Sequence, residues 1–193
     1  MLVFFSLVIA YLLGSISFSD IVTKALKLPN PRTHGSGNAG ATNVFRTGNK
    51  TAGILVLVGD ILKGVIAVAI GYAFNLHGAA IGFVALAAVL GHIFPVFYGF
   101  KGGKGVATAA GTLIVISFWT FIFVLITWAI VAFVTRYVSL ASMVAAIAAP
   151  IYLLIGGNFA VFFPFAIIAA LIVWKHSNNI QRLREGTENK ITF

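Results

Sequence analysis

Between Val106 and Thr135 the chain reads VATAAGTLIVISFWTFIFVLITWAIVAFVT, without one charged residue. A soluble domain carries a charge at about every fourth position and could not hide this run, let alone the similar ones beside it. Only 9% of the chain is charged and 60% is hydrophobic, with a mean hydropathy of +1.05. The apolar runs are unbroken rather than alternating, which excludes a transmembrane β-barrel. The sequence predicts an all-α, polytopic integral membrane protein, one domain over residues 1–193.

A membrane-crossing helix takes about 20 apolar residues. That measure puts spans at Leu2–Val22, Thr51–Phe74 and Ala79–Phe97, the last disturbed near His92–Pro95. The run from Val106 to Thr135 would form a helix about 45 Å long, against a hydrocarbon core of roughly 30 Å. It is therefore read as two short spans turning near Ser117–Thr120. A sixth covers Ser139–Ile155, a seventh Phe159–Trp174, and a polar tail follows. Lys and Arg collect in cytoplasmic loops. With seven transmembrane helices, the N-terminus outside and the C-terminus cytoplasmic, every Lys and Arg except Lys63 falls on the cytoplasmic side. Six spans would send Arg136 and the basic tail across to the other side. The apolar N-terminus lacks the basic start and cleavage site of a signal peptide, and reads as the first span. The net charge of +9 is thus loop charge, and no nucleic acid is expected as a partner.

This topology gathers three polar segments on one face. The first, HGSGNAGATNVFR, runs from His34 to Arg46. Its small residues let backbone N–H groups approach a ligand, Ser36, Asn38, Thr42 and Asn43 offer neutral hydrogen bonds, and Arg46 has a planar fork suited to phosphate. A turn-rich loop without a ligand fits that composition equally well.

The second segment, GHIFPVFYGFKGGKGVATAAG, spans Gly91 to Gly111. It fails as a nucleotide P-loop, because Tyr98 stands where the first glycine belongs and Gly105 where the magnesium-binding hydroxyl belongs. What remains is Lys101, Gly102, Gly103, Lys104 and Gly105 opening into a helix at Val106, Ala107 and Thr108. Orphan N–H groups and the positive helix end favour an anion there, with Lys104 as a point charge. The alternative is a cytoplasmic turn whose lysines only follow loop-charge asymmetry.

The third, HSNNIQRLREGTE, runs from His176 to Glu188. His176 and Asn179 share a face if the last helix continues, and Arg182 and Glu185 repeat that offset. Alone, the segment reads as an ordinary basic tail. Inside the second span, Asp60 and Lys63 form an expected ion pair, either a polar floor beneath a site or a tether between helices. Asp20 with Ser15, Ser17 and Ser19 makes a further polar patch.

With no cysteine and four acidic residues, disulfides, thiolate nucleophiles and carboxylate-held metals are not expected. H-E-x-x-H and G-x-S-x-G are absent. So is the H-x-x-x-x-D box, since Ala39, Phe97 and Gln181 stand five residues after His34, His92 and His176. An enzyme with this inventory needs no metal or cofactor, takes a substrate already activated, and works by positioning and charge.

Together the segments resemble the bacterial membrane acyltransferases that move a fatty acyl group from acyl phosphate to glycerol 3-phosphate, the PlsY family. Ser36–Arg46 resembles the motif S-G-N-x-G-A-T-N-x-x-R, Gly91–Thr108 the motif G-H-x-F-P-x-F-x-x-F-x-G-G-K-G-V-A-T, and His176–Glu188 the motif H-x-x-N-I-x-R-L-x-x-G-x-E. Order, spacing and length agree along the whole chain. Ala39 and Ser17 stand where the family often has proline.

The resemblance implies a multi-pass protein of the bacterial inner membrane with its active site facing the cytoplasm. It implies that Lys101–Thr108 holds the acyl phosphate and that Ser36, Asn38, Thr42, Asn43 and Arg46 seat glycerol 3-phosphate. Arg182 and Glu188 would also contact substrate, and Lys104, His176 and Asn179 would be catalytic. The 1-hydroxyl would attack directly, without an acyl-enzyme, giving lysophosphatidic acid and phosphate in the first step of phospholipid synthesis. Its base is either His176 or an oxygen of the acyl phosphate, Asn179 orients the hydroxyl or polarises the carbonyl, and His92 is structural. Expected partners are the two substrates, the bilayer and the soluble enzyme that makes acyl phosphate. The rival is a small organic-phosphate transporter, which would want a midplane site and repeated halves; no internal repeat is present.

Overall fold

The computed structural model describes residues 1–47 and 49–191; Gly48, just beyond the first polar segment, and residues 192–193 at the end of the tail lie outside them. The order is α1 (Leu2–Gly14), α2 (Phe18–Ala25), α3 (Ala41–Phe45), α4 (Lys50–Ala73), α5 (Ala79–Ile93), α6 (Val106–Ile116), α7 (Phe118–Thr135), α8 (Val138–Ile155), α9 (Phe159–Lys175) and α10 (Ser177–Arg184), with one 3₁₀ turn at Val96–Tyr98. No strand occurs among the described residues.

The boundaries follow local chemistry. Asn49 caps α4 by accepting from the Ala52 N–H at 2.8 Å, satisfying one orphan donor of the first turn. Gly105, at φ +89, makes the left-handed step that starts α6, a conformation glycine adopts without penalty. Ser117 separates α6 from α7, and its hydroxyl donates to Thr120 at 2.8 Å. The turn thus falls where the long apolar run was expected to fold back.

Small residues set the packing, as they do where lipid removes the hydrophobic drive between helices. A side chain added at Gly64 would meet the Thr108 carbonyl oxygen at 2.3 Å, and one at Gly111 the Ile61 oxygen at 2.1 Å, so α4 and α6 lie backbone to backbone. Gly14 against Ala88 and Gly91 against Tyr11 join α1 to α5 in the same way. The core between them is apolar, built on Val68, Val84, Leu113, Leu153, Phe165 and Ile172. Outward faces carry exposed Trp119, Ile130, Val134 and Phe163, as a lipid-facing surface requires.

Among the described residues, five helical segments are long and apolar enough to cross a membrane, with Leu2–Ala25 counted as one, and a sixth is added if α9 and α10 are taken together across their 55° bend. α6, at 11 residues, spans about 16 Å, roughly half of a hydrocarbon core. The protein is therefore a multi-pass helical bundle.

Candidate active site

The three polar segments converge at one end of this bundle on a cavity of about 570 Å³. Its mouth is lined by Ser36, Asn38, Thr42, Arg46, Lys104, His176, Asn179, Arg182 and Glu188. Its shaft is lined by apolar residues of α6, α7, α8 and α9, among them Leu113, Phe121, Ala149 and Phe165.

The first segment is held by Asn43. Its Oδ1 accepts from the Ser36 N–H at 2.9 Å, and its Nδ2 donates to the carbonyls of Pro31 at 2.8 Å and His34 at 3.0 Å. The amide, expected to meet a ligand, is spent on shaping the loop. Ser36, Asn38, Thr42 and Arg46 line the cavity together with Asn43.

The second segment divides sharply. The N–H groups of Gly102 and Gly103 donate to the carbonyls of Ile93 and His92, each at 3.1 Å, so these two expected phosphate donors are turned into the fold. Gly103 has no room for more than hydrogen, since a Cβ would stand 2.1 Å from His92 Nε2. Gly102, Lys104, Gly105, Val106 and Ala107 line the cavity. Of the rest, Lys101 is exposed, Gly103 is buried on His92, and Thr108 is fully buried with its carbonyl on Gly64. The first helical bond of α6 runs from the Ala109 N–H to Gly105 O at 2.8 Å. Gly105, Val106 and Ala107 therefore present N–H groups without intrahelical partners, beside a lysine.

In the third segment the chain bends at His176 instead of continuing straight. His176 Nδ1 lies 2.7 Å from the Ile172 carbonyl. A carbonyl only accepts, so Nδ1 carries the proton and Nε2 keeps its lone pair. Asn179 Oδ1 accepts from Lys104 Nζ at 2.5 Å, while its Nδ2 donates to Glu188 Oε1 at 2.7 Å. Glu188 also accepts from Ser139 at 3.0 Å and from Arg182 Nε at 2.7 Å. Arg182 thus pairs with Glu188, whereas Glu185, three residues after Arg182, accepts from Gln181 at 2.9 Å.

The charges are tuned by this enclosure. Burial draws Lys104 down to about 8; Glu188 opposes the shift, and Arg182, Arg46 and Lys175 add to it. Burial draws His176 down to about 4, helped by Lys104 and opposed by its bond to Ile172 and by Glu188. Burial alone would raise Glu188, but hydrogen bonds from Asn179, Arg182 and Ser139 hold it below the usual carboxylate range. At neutral pH the mouth holds a cationic lysine, a neutral histidine and a carboxylate matched to Arg182.

Sequence reasoning did not select Ser139, Ser142, Lys175 or Asn178, all of which line the cavity. Ser139 and Ser142 stand at i and i+3 near the start of α8, a polar pair on an otherwise apolar helix. That spacing was the available signal. Asp60 and His92 also reach the cavity, where Asp60 lies 2.9 Å from Lys63 and 3.5 Å from His92. Among the described residues, no three His, Cys, Asp or Glu gather as metal ligands would.

Residues 4–186 match the family model for glycerol-3-phosphate acyltransferase. A glycerol-3-phosphate acyltransferase of Coxiella burnetii (strain Dugway 5J108-111) is 56% identical over 186 residues, covering 96% of each chain. That of Thioalkalivibrio sulfidiphilus (strain HL-EbGR7) is 49% identical over 183 residues, covering 94% of this chain and 90% of the relative. The crystal structure of PlsY (YgiH), an integral membrane glycerol 3-phosphate acyltransferase, superposes in its glycerol 3-phosphate form with a TM-score of 0.93 at 44% identity, over 98% of this chain and 96% of that one. Its lysophosphatidic acid form gives 0.91 at 43% identity, over 98% and 95%.

Proposed function

We propose a mechanism from one premise: the chain belongs to the glycerol-3-phosphate acyltransferase family, and is an integral membrane acyltransferase. The acyl donor in this reading is acyl phosphate, and the products are lysophosphatidic acid and phosphate. The observation that carries it is the cavity itself, a cationic, glycine-rich mouth over an apolar shaft. A phosphate head and a fatty tail on one molecule match those two halves.

Lys104 and the N–H groups of Gly105, Val106 and Ala107 hold the donor phosphate at the head of α6. Arg46, with Ser36, Asn38 and Thr42, seats glycerol 3-phosphate. Arg182 and Glu188 act through Asn179, which they fix in place. The 1-hydroxyl oxygen attacks the acyl carbon, the bond from that carbon to the phosphate oxygen breaks, and phosphate leaves with the electron pair. Because the leaving group is already good, no acyl-enzyme forms. The proton goes to an oxygen of the departing phosphate. His176, held near 4, is a weak base, and its Nε2 serves by accepting a hydrogen bond from the neighbouring 2-hydroxyl, which orients the attacking oxygen beside it.

In this reading the chain crosses seven times with the N-terminus outside, the short α6 crossing only together with the residues that flank it and α7 crossing next, so that the site would face the cytoplasm at the bacterial inner membrane. The loop charge favours that orientation. The soluble enzyme that supplies acyl phosphate would then meet this face.

The test is a purified-protein assay with palmitoyl phosphate labelled in its acyl chain and radiolabelled glycerol 3-phosphate, with palmitoyl thioesters as competing donors. Lysophosphatidic acid from the phosphate donor alone, with no acyl label on acid-quenched protein, is expected. Product from thioesters only, or a trapped acyl-protein, would overturn the reading.

A further inference from the structure

Arg32 lies outside the cavity, yet it joins the two loops that line the mouth. Its Nε donates to Asp20 Oδ1 at 2.9 Å and its Nη2 to Asp20 Oδ2 at 2.6 Å. Its Nη1 donates to the Lys101 carbonyl, and the guanidinium sits 5.0 Å over the Tyr98 ring. Every edge of the fork, and one face, is in use.

Both ends of this strut are anchored. The Pro31–Arg32 peptide is a rigid plane held on both edges: its carbonyl accepts from Asn43 Nδ2 at 2.8 Å, and its N–H donates to Asn30 Oδ1 at 2.9 Å. Asn43 in turn holds the Ser36 N–H. At the far end, the Lys101–Gly102 peptide is also held on both edges, its carbonyl by Arg32 and its N–H by Ile93 O at 3.1 Å. A continuous path therefore runs from Ser36 through Asn43 and Arg32 to the peptide that precedes Gly103 and Lys104.

Stability alone does not account for this construction: the pair stays 21% and 17% exposed and is partly screened by solvent. A simple turn could close the first segment without an arginine. What the strut fixes is the distance between two loops.

We propose that Arg32 is a positioning residue that couples the glycerol 3-phosphate loop to the acyl phosphate loop, so that filling one subsite preorders the other. This rests on the assignment of the two loops to the two substrates. Coupling of this kind is reciprocal and commonly amounts to about 5–150-fold in affinity.

The test uses the full chain in lipid nanodiscs, with initial rates over a grid of palmitoyl phosphate and glycerol 3-phosphate. In the wild type, saturating either substrate lowers the KM of the other. In Arg32→Gln both KM values rise by about tenfold, kcat stays within about threefold, and the two KM values become independent. Arg32→Lys behaves like Arg32→Gln, because one ammonium cannot reach Asp20, Tyr98 and the Lys101 carbonyl together. Unchanged KM values, a loss confined to kcat or to one substrate, or full recovery in Arg32→Lys would overturn the proposal. If Arg32→Gln does not fold, Asp20→Asn keeps the arginine and removes its anchor. It should show the same pattern more weakly, and unchanged KM values there would also overturn it. A wild type that makes no product would refute the acyl phosphate reading instead. Coupling is then read from thermal stabilisation by glycerol 3-phosphate and inorganic phosphate, separately and together; strictly additive effects would count against the strut.

Discussion

Lys104 Nζ and Asn179 Oδ1 lie 2.5 Å apart although 75 positions separate them in sequence. The contact ties the second polar segment to the third. It also fixes the way Asn179 faces, since Nδ2 is committed to Glu188. One amide thus aims a lysine and is itself aimed by a carboxylate.

Lys104 and Asn179 should accordingly fail as a unit. Lys104→Ala and Asn179→Ala are each expected to lower kcat/KM by about 10²–10³-fold, the range for removing one preorganised donor at a reacting oxyanion. The double variant should be little worse than either single one, because groups acting together are not additive. A double-mutant cycle on initial rates checks this. Fully multiplicative losses would mean that the two side chains act separately.

The lysine's titration gives the reaction a pH signature. Lys104 attracts phosphate only as an ammonium, and it is drawn down to about 8. Below that pH the charge is present, and above it the charge is lost. So kcat/KM, which reports the free enzyme, should be level near pH 7 and fall through about pH 8. His176, drawn down to about 4, stays neutral over this range and should add no acidic limb near the ordinary histidine value. Since the Glu188 carboxylate opposes the drop in Lys104, Glu188→Gln should move the alkaline limb to lower pH. A limb that stays in place would remove Lys104 as its source.

The multi-pass helical fold was readable because lipid makes hydropathy decisive: a chain in hydrocarbon must satisfy its own backbone, and long apolar runs have few other outcomes; α6, at 11 residues, is nevertheless shorter than the span expected there. The convergence of the segments was readable too, because loop charge assigned all three to one side. The directions of individual groups were not. Gly102 and Gly103 belong to the phosphate loop by composition, but their N–H groups face His92 and Ile93, a pairing set by how the chain doubles back after Pro95. The turn at Gly186, φ +71, carries Glu188 back over Asn179 and leaves Glu185 outside, which no helical spacing could indicate. Ser139 joins Glu188 from 49 positions away, and Arg32 reaches Lys101 across 69. Such contacts depend on tertiary placement, which a local pattern does not encode.

Gly103 should tolerate no side chain. A Cβ there would stand 2.1 Å from His92 Nε2 and 2.8 Å from Ala39 O, so the loop must move off the cluster of His92, Asp60 and Lys63. Gly103→Ala is expected to abolish measurable turnover while the protein still purifies as a folded, monodisperse species. Gly157→Ala is the control. That residue has φ +76 and no heavy atom within 4 Å of the added carbon, so it should cost about 1 kcal/mol of backbone strain and leave kinetics unchanged. Wild-type turnover in Gly103→Ala would show that the loop has more freedom than its packing implies.

The apolar shaft should set donor length. Ala145, Ala146 and Ala149 present small side chains to it from α8, and Phe165, 1% exposed, closes it from α9. From Val138 at the mouth to Ala149 the α8 backbone descends about 16 Å, so Ala149 stands where the tail of a long acyl chain would end. Ala149→Phe would exclude the last few methylenes. Each buried methylene contributes about 0.8 kcal/mol, so losing three should lower kcat/KM for palmitoyl phosphate by roughly 50-fold while leaving decanoyl phosphate nearly unaffected. Thermal unfolding of the variant separates this from general damage, since an overpacked core would slow both donors alike. Equal kinetics for both donors in Ala149→Phe would place the acyl tail elsewhere, leaving the shaft sideways for the lipid between α4 and α7, where Leu57 and Leu125 line the cavity and are also exposed on the outer surface.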